Sequence, residues 1–355
     1  MTSPSSALES LRTEASQLID QLPTMRHGKV IQEALTTLVR MAEVEADRLD
    51  WKILTYAMQD MERAFRVFYP YRHTRKITIF GSARTTRETG EYQMAIEFAR
   101  AIVERGFMVM TGAGGGIMQA GNEGATAEHS FGLNIQLPFE QGANDYIEQD
   151  PKLIDFKYFF TRKLFFLRET DALALFPGGF GTQDEAFECL TLIQTGKSDP
   201  IPLVLIDEPG RDYWRNWDSY IRENLLAAGL VSPGDPDLYT ITTDINEACE
   251  AIANFYRVYH SSRYVGDRLV MRLKCGLTDD SLAHLNDKFS DLLVEGHIKQ
   301  GAALPEEAGE EEVADLPRLV MHFNQRDFGR LHQFIRTLND METETPKSMM
   351  HPEKK

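Results

Sequence analysis

The sequence predicts an α/β fold, built around a parallel β-sheet that carries helices on both faces. Short apolar runs rich in β-branched residues alternate with helical patterns between residue 75 and about residue 260. Such runs are typical of strands that are buried on both faces. Three of them end in glycine, at Phe80-Gly81, Thr111-Gly112 and Pro177-Gly178. Because open parallel sheets bind ligands at the carboxyl ends of their strands, we expect a ligand site at that edge.

Residues 1–74 are predicted to form an N-terminal helical segment. Apolar residues recur there at steps of three and four, which places one apolar stripe on each helix. The three sets are Leu8, Leu11, Ala15, Leu18 and Leu22, then Ile31, Leu35, Leu38 and Ala42, then Leu54, Met58, Met61, Phe65 and Phe68. We expect these helices to pack on the main domain or on a partner subunit. The pattern breaks near Pro23 and Gly28, which argues against a coiled coil.

The central domain, residues 75–263, holds the predicted sheet. Its predicted strands are Lys76–Phe80, Phe107–Thr111, Phe131–Leu137, Ala172–Phe176 and Pro202–Ile206. The main helices predicted between them are Tyr92–Glu104, Ile117–Ala127, Thr161–Arg168 and Gln183–Thr195. This alternation of strands and helices indicates parallel strand pairing.

Residues 264–341 are predicted to form a small α+β unit. Its predicted strands are Leu269–Lys274 and Leu319–Phe323, and its predicted helices are Asp279–Leu293 and Phe328–Leu338. Thr278 is a candidate N-cap for the first of these helices. The acidic, turn-rich stretch Pro305–Asp315 is predicted to be a solvated loop, and the polar residues 342–355 are expected to be disordered. The sequence leaves open whether the unit serves regulation or dimerisation.

Composition excludes several classes of protein. The chain has 355 residues, 42% of them hydrophobic and 26% charged, which is ordinary for a folded protein of two or three domains. Its 54 acidic residues exceed its 38 basic residues by 16, so general nucleic-acid binding is disfavoured. Neither a membrane-spanning run nor a secretory signal is predicted. The three cysteines form no CxxC pair, so we expect a cytoplasmic protein with neither a metal site nor disulfides.

The first candidate ligand-binding loop is Thr111-Gly-Ala-Gly-Gly-Gly-Ile-Met118, between a predicted strand and a predicted helix. Glycine lacks a Cβ atom, so backbone N–H groups can approach phosphate oxygens, and the helix start adds unpaired donors. A tight turn without a ligand is the alternative, but it needs fewer glycines. The loop is not a Walker motif, and Ile117 stands where GxGxxG has its third glycine. A mononucleotide is therefore a simpler prediction than a dinucleotide.

The second candidate loop, Pro177-Gly-Gly-Phe-Gly-Thr-Gln-Asp-Glu185, also joins a predicted strand to a predicted helix. Its glycines expose backbone donors, and the hydroxyl of Thr182 can add a hydrogen bond to a phosphate. Glu185 falls near the first helical turn, where the helix dipole favours a carboxylate by about 0.3–1 kcal/mol. A helix-start role therefore explains the acidic residue but not the glycines before it, and we favour a functional role.

Two adjacent cations, Arg162 and Lys163, stand in an apolar, aromatic run between Phe156 and Phe166. Burying such a pair without an anion is costly, so a ligand phosphate or Glu185 is expected as counter-charge. The alternative is a surface turn in which the apolar stems of both side chains lie on the protein.

Together the three segments resemble the LONELY GUY (LOG) family, whose members are often labelled lysine decarboxylases. The run that ends at Glu185 is similar to the family's PGGxGTxxE signature, and the glycine-rich loop and the Arg-Lys pair are similar to its other motifs. The segments Phe80-Gly-Ser-Ala-Arg84 and Leu137-Pro-Phe-Glu-Gln141 also match. The resemblance covers about residues 75–260 and leaves the terminal segments outside.

The resemblance implies a Rossmann-like fold and a phosphoribohydrolase, which hydrolyses a nucleoside 5′-monophosphate to the free base and ribose 5-phosphate. AMP-like nucleotides and cytokinin riboside 5′-monophosphates are the implied substrates, and no cofactor is implied. Arg162 and Glu185 would be the catalytic pair. The implied substrate- and phosphate-binding residues are Gly81, Ser82, Gly114, Gly115, Gly116, Ile117, Met118, Lys163, Gly178, Gly179, Gly181 and Thr182. Family members are dimers whose sites lie close to the subunit interface, so the resemblance implies a homodimer or a higher homo-oligomer.

The chemistry of these residues agrees with the resemblance. Cleavage of an N-glycosidic bond passes through an oxocarbenium-like state, which a neighbouring carboxylate stabilises. Glu185 is the candidate carboxylate, and the planar guanidinium of Arg162 can hold it or a ribose hydroxyl. The 5′-phosphate, bound away from the breaking bond, supplies binding energy for positioning.

The glycine-rich loop departs from the family's usual GGGPGIME. Ala113 replaces a glycine, Gly115 replaces the proline, and Gln119 replaces a common glutamate. We expect the loop to bind phosphate despite these departures, whereas the base preference stays open.

Two alternatives to a hydrolase remain: a nucleotide or molybdenum-cofactor carrier on the same scaffold, and a pyridoxal phosphate enzyme in which Lys163 forms the Schiff base. Retention of the catalytic pair favours the hydrolase.

Overall fold

The computed structural model describes residues 13, 25, 27–44, 46–135 and 142–343. The chain divides into two compact units, residues 1–61 and residues 62–355. In the first unit the described residues form helix α1, Gly28–Glu43, and the larger part of helix α2, Arg48–Phe68, whose last residues belong to the second unit. The second and third predicted apolar stripes therefore lie on helices. The first stripe and residues 344–355 lie outside the described residues.

The second unit contains a seven-stranded parallel sheet with helices on both faces, which confirms the predicted Rossmann-like α/β class. Its strands are β1 Lys76–Phe80, β2 Met108–Thr111, β3 Ser130–Ile135, β4 Leu153–Phe156, β5 Ala172–Leu175, β6 Leu203–Ile206 and β7 Tyr239–Thr242. They lie in the order β4-β3-β2-β1-β5-β6-β7. The chain therefore winds outwards from β1 on one side and from β5 on the other. The direction in which successive strands are added reverses between β1 and β5. This position is a topological switch point, where such sheets bind ligands.

Helices connect the parallel strands. They are α3 Gly90–Val103, α4 Ile117–Ala125, α5 Phe159–Glu169, α6 Phe180–Gln194, α7 Tyr213–Tyr220 and α8 Ile245–Phe255. Local sequence explains several of their ends. Thr89 caps α3 by accepting a hydrogen bond from the N–H of Tyr92 at 3.3 Å, and Asp244 caps α8 by accepting two N–H bonds. After α3, Gly106 takes a left-handed φ of 86°, which glycine adopts without a steric cost.

The sequence analysis did not predict β4 and β7, the two edge strands of this sheet. Each has four residues, and each carries polar side chains, in Leu-Ile-Asp-Phe and Tyr-Thr-Ile-Thr. The central strands β1 and β2 are buried along their whole length. An edge strand needs no continuous apolar run, because part of its surface faces solvent.

A second, antiparallel sheet follows, in the order β10-β11-β9-β8. Its strands are β8 Tyr259–Val265, β9 Arg268–Leu273, β10 Leu293–Gly301 and β11 Arg318–Phe323. Its helices are α9 Asp279–Lys288 and α10 Phe328–Asp340. Thr278 caps α9 as predicted, accepting from the N–H of Ser281 at 3.3 Å. The sheet begins at Tyr259, before the predicted boundary at residue 264, and contains two strands, β8 and β10, that were not predicted.

Helix α10 joins the small sheet to the main core. The side chain of Asn339 accepts hydrogen bonds from the N–H groups of Val258 and Tyr259 at 2.7 and 3.0 Å, and donates one to the carbonyl of Phe255 at 2.6 Å. His332 is fully buried, with its Nε2 3.0 Å from the carbonyl oxygen of Ile201. Residues of both sheets belong to one continuous apolar cluster. The predicted small α+β unit is therefore packed into the same core as the parallel sheet.

The acidic stretch Pro305–Asp315 is not the purely solvated loop that the sequence predicts. Glu307 is buried, and its carboxylate accepts hydrogen bonds from Arg272 at 2.9 Å and from Arg318 at 3.1 Å. These arginines project from the neighbouring strands β9 and β11. The expectation was wrong at Glu307 because two cations that are distant in sequence provide its counter-charge. Within the described residues, none of the helices combines the length and apolar character that crossing a membrane requires.

Candidate active site

The carboxyl ends of β1, β2, β3 and β5 open into one cavity of about 730 Å³ at the switch point of the sheet. The predicted site residues that line it are Gly81, Ser82, Gly114, Met118, Arg162, Gly178, Gly179, Gly181, Thr182 and Glu185. Four others, Gly115, Gly116, Ile117 and Lys163, do not line it. The two glycine-rich loops and the predicted catalytic pair therefore share one cavity. The segment from Leu137 to Gln141, quoted for the family resemblance, lies outside the described residues.

The loop after β1 connects the two glycine-rich loops. The N–H of Ser82 donates to the carbonyl of Pro177 at 3.0 Å, and the carbonyl of Ser82 accepts from the N–H of Ile117 at 3.1 Å. A Cβ atom on Gly81 would lie 2.7 Å from the side chain of Ile117, and one on Gly116 would lie 2.2 Å from the carbonyl oxygen of Ser82. Gly81 and Gly116 are therefore required by the close packing of the loops, before any ligand is considered.

Other glycines face open space. A Cβ atom on Gly179 or Gly181 would have no heavy atom within 4 Å, whereas one on Gly178 would lie 2.1 Å from Oγ1 of Thr182. Gly179 is the N-cap of α6, and Gly116 is the N-cap of α4, so neither helix start has a side-chain cap. Uncapped N–H groups and the positive end of the helix dipole attract anions. The start of α6, which lines the cavity, is consequently suited to a phosphate.

Hydrogen bonds to the backbone hold the Arg162 side chain at the carboxyl ends of β2 and β3. Its Nε donates to the carbonyl of Leu133 at 2.7 Å, and its Nη2 donates to the carbonyl of Gly112 at 3.3 Å. Its guanidinium also lies 5.1 Å from the ring centre of Phe166. A Cβ atom on Gly112 would lie 2.4 Å from Nη2, so this glycine makes room for the arginine. These contacts hold the guanidinium beside the cavity.

Lys163 supplies the counter-charge that the sequence analysis considered for Glu185. Its Nζ lies 2.8 Å from Asp184, 3.0 Å from Glu185 and 2.6 Å from Glu188. Although burial disfavours the charged form, these three carboxylates raise the pKa of Lys163 above its ordinary value. Lys163 therefore stays protonated and forms ion pairs with three carboxylates of α6.

Glu185 is held in a desolvated position. Only 13% of its side chain is exposed, and burial raises its pKa above the ordinary value, while the neighbouring Lys163 acts in the opposite direction. A carboxylate in this environment is suited to stabilise a developing positive charge, because little water competes with it. Among the described residues, no group of three or more His, Cys, Asp or Glu side chains is arranged to hold a metal ion.

Several residues of the site were missed by sequence reasoning. Phe159 and Asn134 line the cavity beside the predicted residues, and so does Phe180, which is 97% exposed. Tyr213 on α7 donates its hydroxyl hydrogen to the carbonyl of Gly178 at 2.5 Å and accepts one from Gln183 at 2.7 Å. An aromatic residue at the start of a helix gives no signal in the sequence for such a contact, which only the tertiary fold creates.

Comparisons with known proteins identify a matching family model and relatives of this chain. A family model described as "Possible lysine decarboxylase" matches residues 94–252. The chain is 29% identical over 164 residues to a cytokinin riboside 5′-monophosphate phosphoribohydrolase of Mycobacterium tuberculosis, covering 45% of this chain and 84% of that protein. It is 28% identical over 140 residues to the cytokinin riboside 5′-monophosphate phosphoribohydrolase LOG2 of Arabidopsis thaliana, covering 38% of this chain and 63% of that protein.

Among solved structures, the chain is similar to a molybdenum cofactor carrier protein from Chlamydomonas reinhardtii. The two are 20% identical, with a TM-score of 0.36, over 51% of this chain and 96% of that chain. At this level the similarity carries no conclusion about function.

Proposed function

We propose that this chain, as a member of the LONELY GUY (LOG) family, hydrolyses the N-glycosidic bond of a nucleoside 5′-monophosphate, giving the free base and ribose 5-phosphate. One observation carries the proposal: Gly114, Thr182 and Glu185 border the same cavity at the switch point. Phosphate-binding groups and a carboxylate that is only 13% exposed thus lie within reach of one mononucleotide. AMP-like nucleotides and cytokinin riboside 5′-monophosphates are the proposed substrates.

The phosphate would bind at the start of α6. The backbone at Gly179 and Gly181 faces open space there, and Thr182 adds a hydroxyl beside the uncapped N–H groups. Gly114 lines the cavity from the other glycine-rich loop. Binding the phosphate at this end holds the sugar and base deeper in the cavity, and converts remote binding energy into positioning of the reacting carbon.

Glu185 would act on the sugar. As the bond between C1′ and the base nitrogen breaks, the base leaves with the bonding electrons and takes up a proton, while positive charge develops on C1′ and the ring oxygen. The carboxylate of Glu185 stabilises that charge and orients the water that adds to C1′. Arg162, fixed by two carbonyl groups, is placed to bind a ribose hydroxyl, since Lys163 already pairs with Glu185.

The experiment is product analysis with a panel of substrates. The protein is incubated with nucleoside 5′-monophosphates, the matching nucleosides and isopentenyl-adenosine monophosphate, and the products are separated by chromatography. We expect base release from the monophosphates alone. Release from unphosphorylated nucleosides at a similar rate would contradict the phosphate site.

Substitutions test the catalytic pair. We expect Glu185→Gln and Arg162→Ala to lower turnover by about 10²–10⁴-fold while the fold is kept. Glu128→Gln, at an exposed position, removes the same charge and serves as the control. Turnover near that of the unmodified protein in both variants would contradict the catalytic roles proposed for Glu185 and Arg162.

The alternatives give distinct results. Tight nucleotide binding without base release, or a copurified pterin, would favour a carrier instead of a hydrolase. A pyridoxal phosphate enzyme needs a lysine that can lose its proton, whereas the three carboxylates around Lys163 stabilise its charged form. An absorbance band of an internal aldimine would support a pyridoxal phosphate enzyme instead.

We also propose that the protein forms homodimers through the surface beside the cavity. Phe159, Phe160 and Leu164 on α5 are each about half exposed, and Phe180 at the start of α6 is almost fully exposed. Apolar side chains grouped in this way typically mark a protein interface. Light scattering after gel filtration would measure the mass, and Phe160→Asp is expected to give a monomer. A monomeric unmodified protein would reject the proposal.

A further inference from the structure

Asn144, in the segment between β3 and β4, contacts the glycine-rich loop from outside the cavity. Its backbone N–H donates to the carbonyl of Ala113 at 2.8 Å. Its side-chain Nδ2 donates to the carbonyl groups of Ala113 and Gly114, both at 3.1 Å. Asn144 is buried, and it is not among the residues that line the cavity. Two consecutive carbonyl groups of the loop are therefore bound by one buried side chain.

Thr111 and Asn122 connect Asn144 to the glycine-rich loop through further hydrogen bonds. Oγ1 of Thr111 accepts from the N–H of Ala113 at 3.0 Å and donates to Oδ1 of Asn122 at 2.7 Å. The same Oδ1 accepts from Nδ2 of Asn144 at 3.0 Å. Thr111 and Asn122 are fully buried. Buried networks of this kind fix geometry, because each group would lose its partner if the loop moved.

The loop needs such restraint at Ala113. This residue has a φ of 61°, in the left-handed region that a residue with a side chain adopts only at a cost in energy. Strained backbone of this kind persists when its surroundings determine it, and it is common where a ligand binds. The hydrogen bonds to both the N–H and the carbonyl of Ala113 provide that determination.

We propose that Asn144 is a positioning residue for the phosphate of the substrate. By binding the carbonyl groups of Ala113 and Gly114, it keeps these oxygens out of the cavity and leaves the N–H side of the loop to face the anion. The inference rests on the proposed function, because that function places the phosphate in the cavity that Gly114 of this loop and the start of α6 both line. A loop released from Asn144 can turn a carbonyl oxygen toward the phosphate, which repels it and weakens binding.

The test is Asn144→Asp, which has nearly the same shape. The variant keeps an oxygen for the N–H of Tyr146, which Asn144 binds at 3.2 Å, but replaces the Nδ2 donor by an oxygen that repels both carbonyl groups. We expect KM for AMP, and Kd for AMP and for inorganic phosphate by calorimetry, to rise about 10–100-fold, with a smaller change in kcat. Asn246→Asp, at an exposed position, introduces the same charge as the control.

Thr111→Val provides a second variant of similar shape, which removes the acceptor of the Ala113 N–H and leaves Asn144 in place. We expect it to weaken phosphate binding in the same direction, and it decides the question if Asn144→Asp does not fold. Unchanged Kd values for phosphate and AMP in a folded variant would overturn the inference, and so would a loss confined to kcat.

Failure of the proposed function gives a different result. If the unmodified protein binds AMP but releases no base, the hydrolase is rejected, while the ratio of Kd values between it and Asn144→Asp still tests the positioning role. If the unmodified protein binds neither AMP nor phosphate, both are rejected.

Discussion

Replacing Lys163 by methionine tests how the protein controls the charge of its proposed catalytic carboxylate. Nζ of Lys163 lies 3.0 Å from Glu185 and also contacts Asp184 and Glu188. Burial raises the pKa of Glu185, and Lys163 opposes that rise. Methionine has a similar length without the charge, so the variant leaves the largely desolvated Glu185 beside two other carboxylates, without their shared cation.

The expected shift follows from these contacts. An opposite charge within about 4–6 Å lowers the pKa of a carboxyl group by about 1–3 units, so losing it should raise the pKa of Glu185 by a similar amount. Glu185 acts as a carboxylate in the proposed reaction, and activity is therefore lost as the pH falls through its pKa. The acidic limb of the kcat/KM profile should move to higher pH by about 1–3 units.

The assay is base release from AMP across a range of pH, with three variants. Lys163→Arg keeps a cation and should give a profile close to that of the unmodified protein, and Lys197→Met removes an exposed lysine as the control. An acidic limb that stays in place in Lys163→Met would refute the reasoning. A rise of KM alone, at every pH, would instead support the sequence prediction that Lys163 binds phosphate.

Two further predictions concern stability and the glycines. The backbone N–H of Leu304 and the guanidinium groups of Arg318 and Arg272 outweigh burial and lower the pKa of Glu307 from 4.5 to about 2, which corresponds to about 3 kcal/mol. In urea unfolding, Glu307→Gln should lose about that much above pH 5, and the difference from the unmodified protein should vanish as the pH falls toward 2. Glu306→Gln, which breaks an exposed pair, should cost under about 1 kcal/mol; equal losses in the two variants would contradict the burial argument. Gly181→Ala should leave the thermal midpoint unchanged or higher and raise KM, because its Cβ enters open space at the helix start. Gly178→Ala should destabilise the protein by about 1–3 kcal/mol through its clash with Thr182, and identical behaviour of the two alanine variants would argue against separate roles for the glycines.

The central fold could be predicted because its information is local. The strands β1 and β2 are fully buried and mostly apolar, and strong helical patterns separate them from their neighbours. The strands β4, β7, β8 and β10 could not be predicted in this way. They lie at the edges of their sheets or have exposed residues, so their conformation depends on pairing with a neighbouring strand more than on their own composition.

The candidate site was predictable to the extent that parallel strands bring their carboxyl ends together. That rule alone places Gly114, Thr182 and Glu185 near one another, as the structure has them. It does not say which cation meets Glu185, because the choice between Arg162 and Lys163 depends on the rotation of α5 about its axis. In the structure that rotation gives Lys163 to the carboxylates of α6 and Arg162 to the carbonyl groups of the sheet.

The glycines show the same distinction between pattern and geometry. In the sequence, all the glycines of the two loops suggest a phosphate cradle, since each removes a Cβ atom. In the structure, Gly81, Gly116 and Gly178 make room for neighbouring protein atoms, whereas Gly179 and Gly181 face open space. A glycine-rich motif therefore records two constraints at once: loops that must pack closely together, and a surface that must stay open to a ligand. Only the second constrains the substrate, so the choice of ligand depends on fewer glycines than the motif contains.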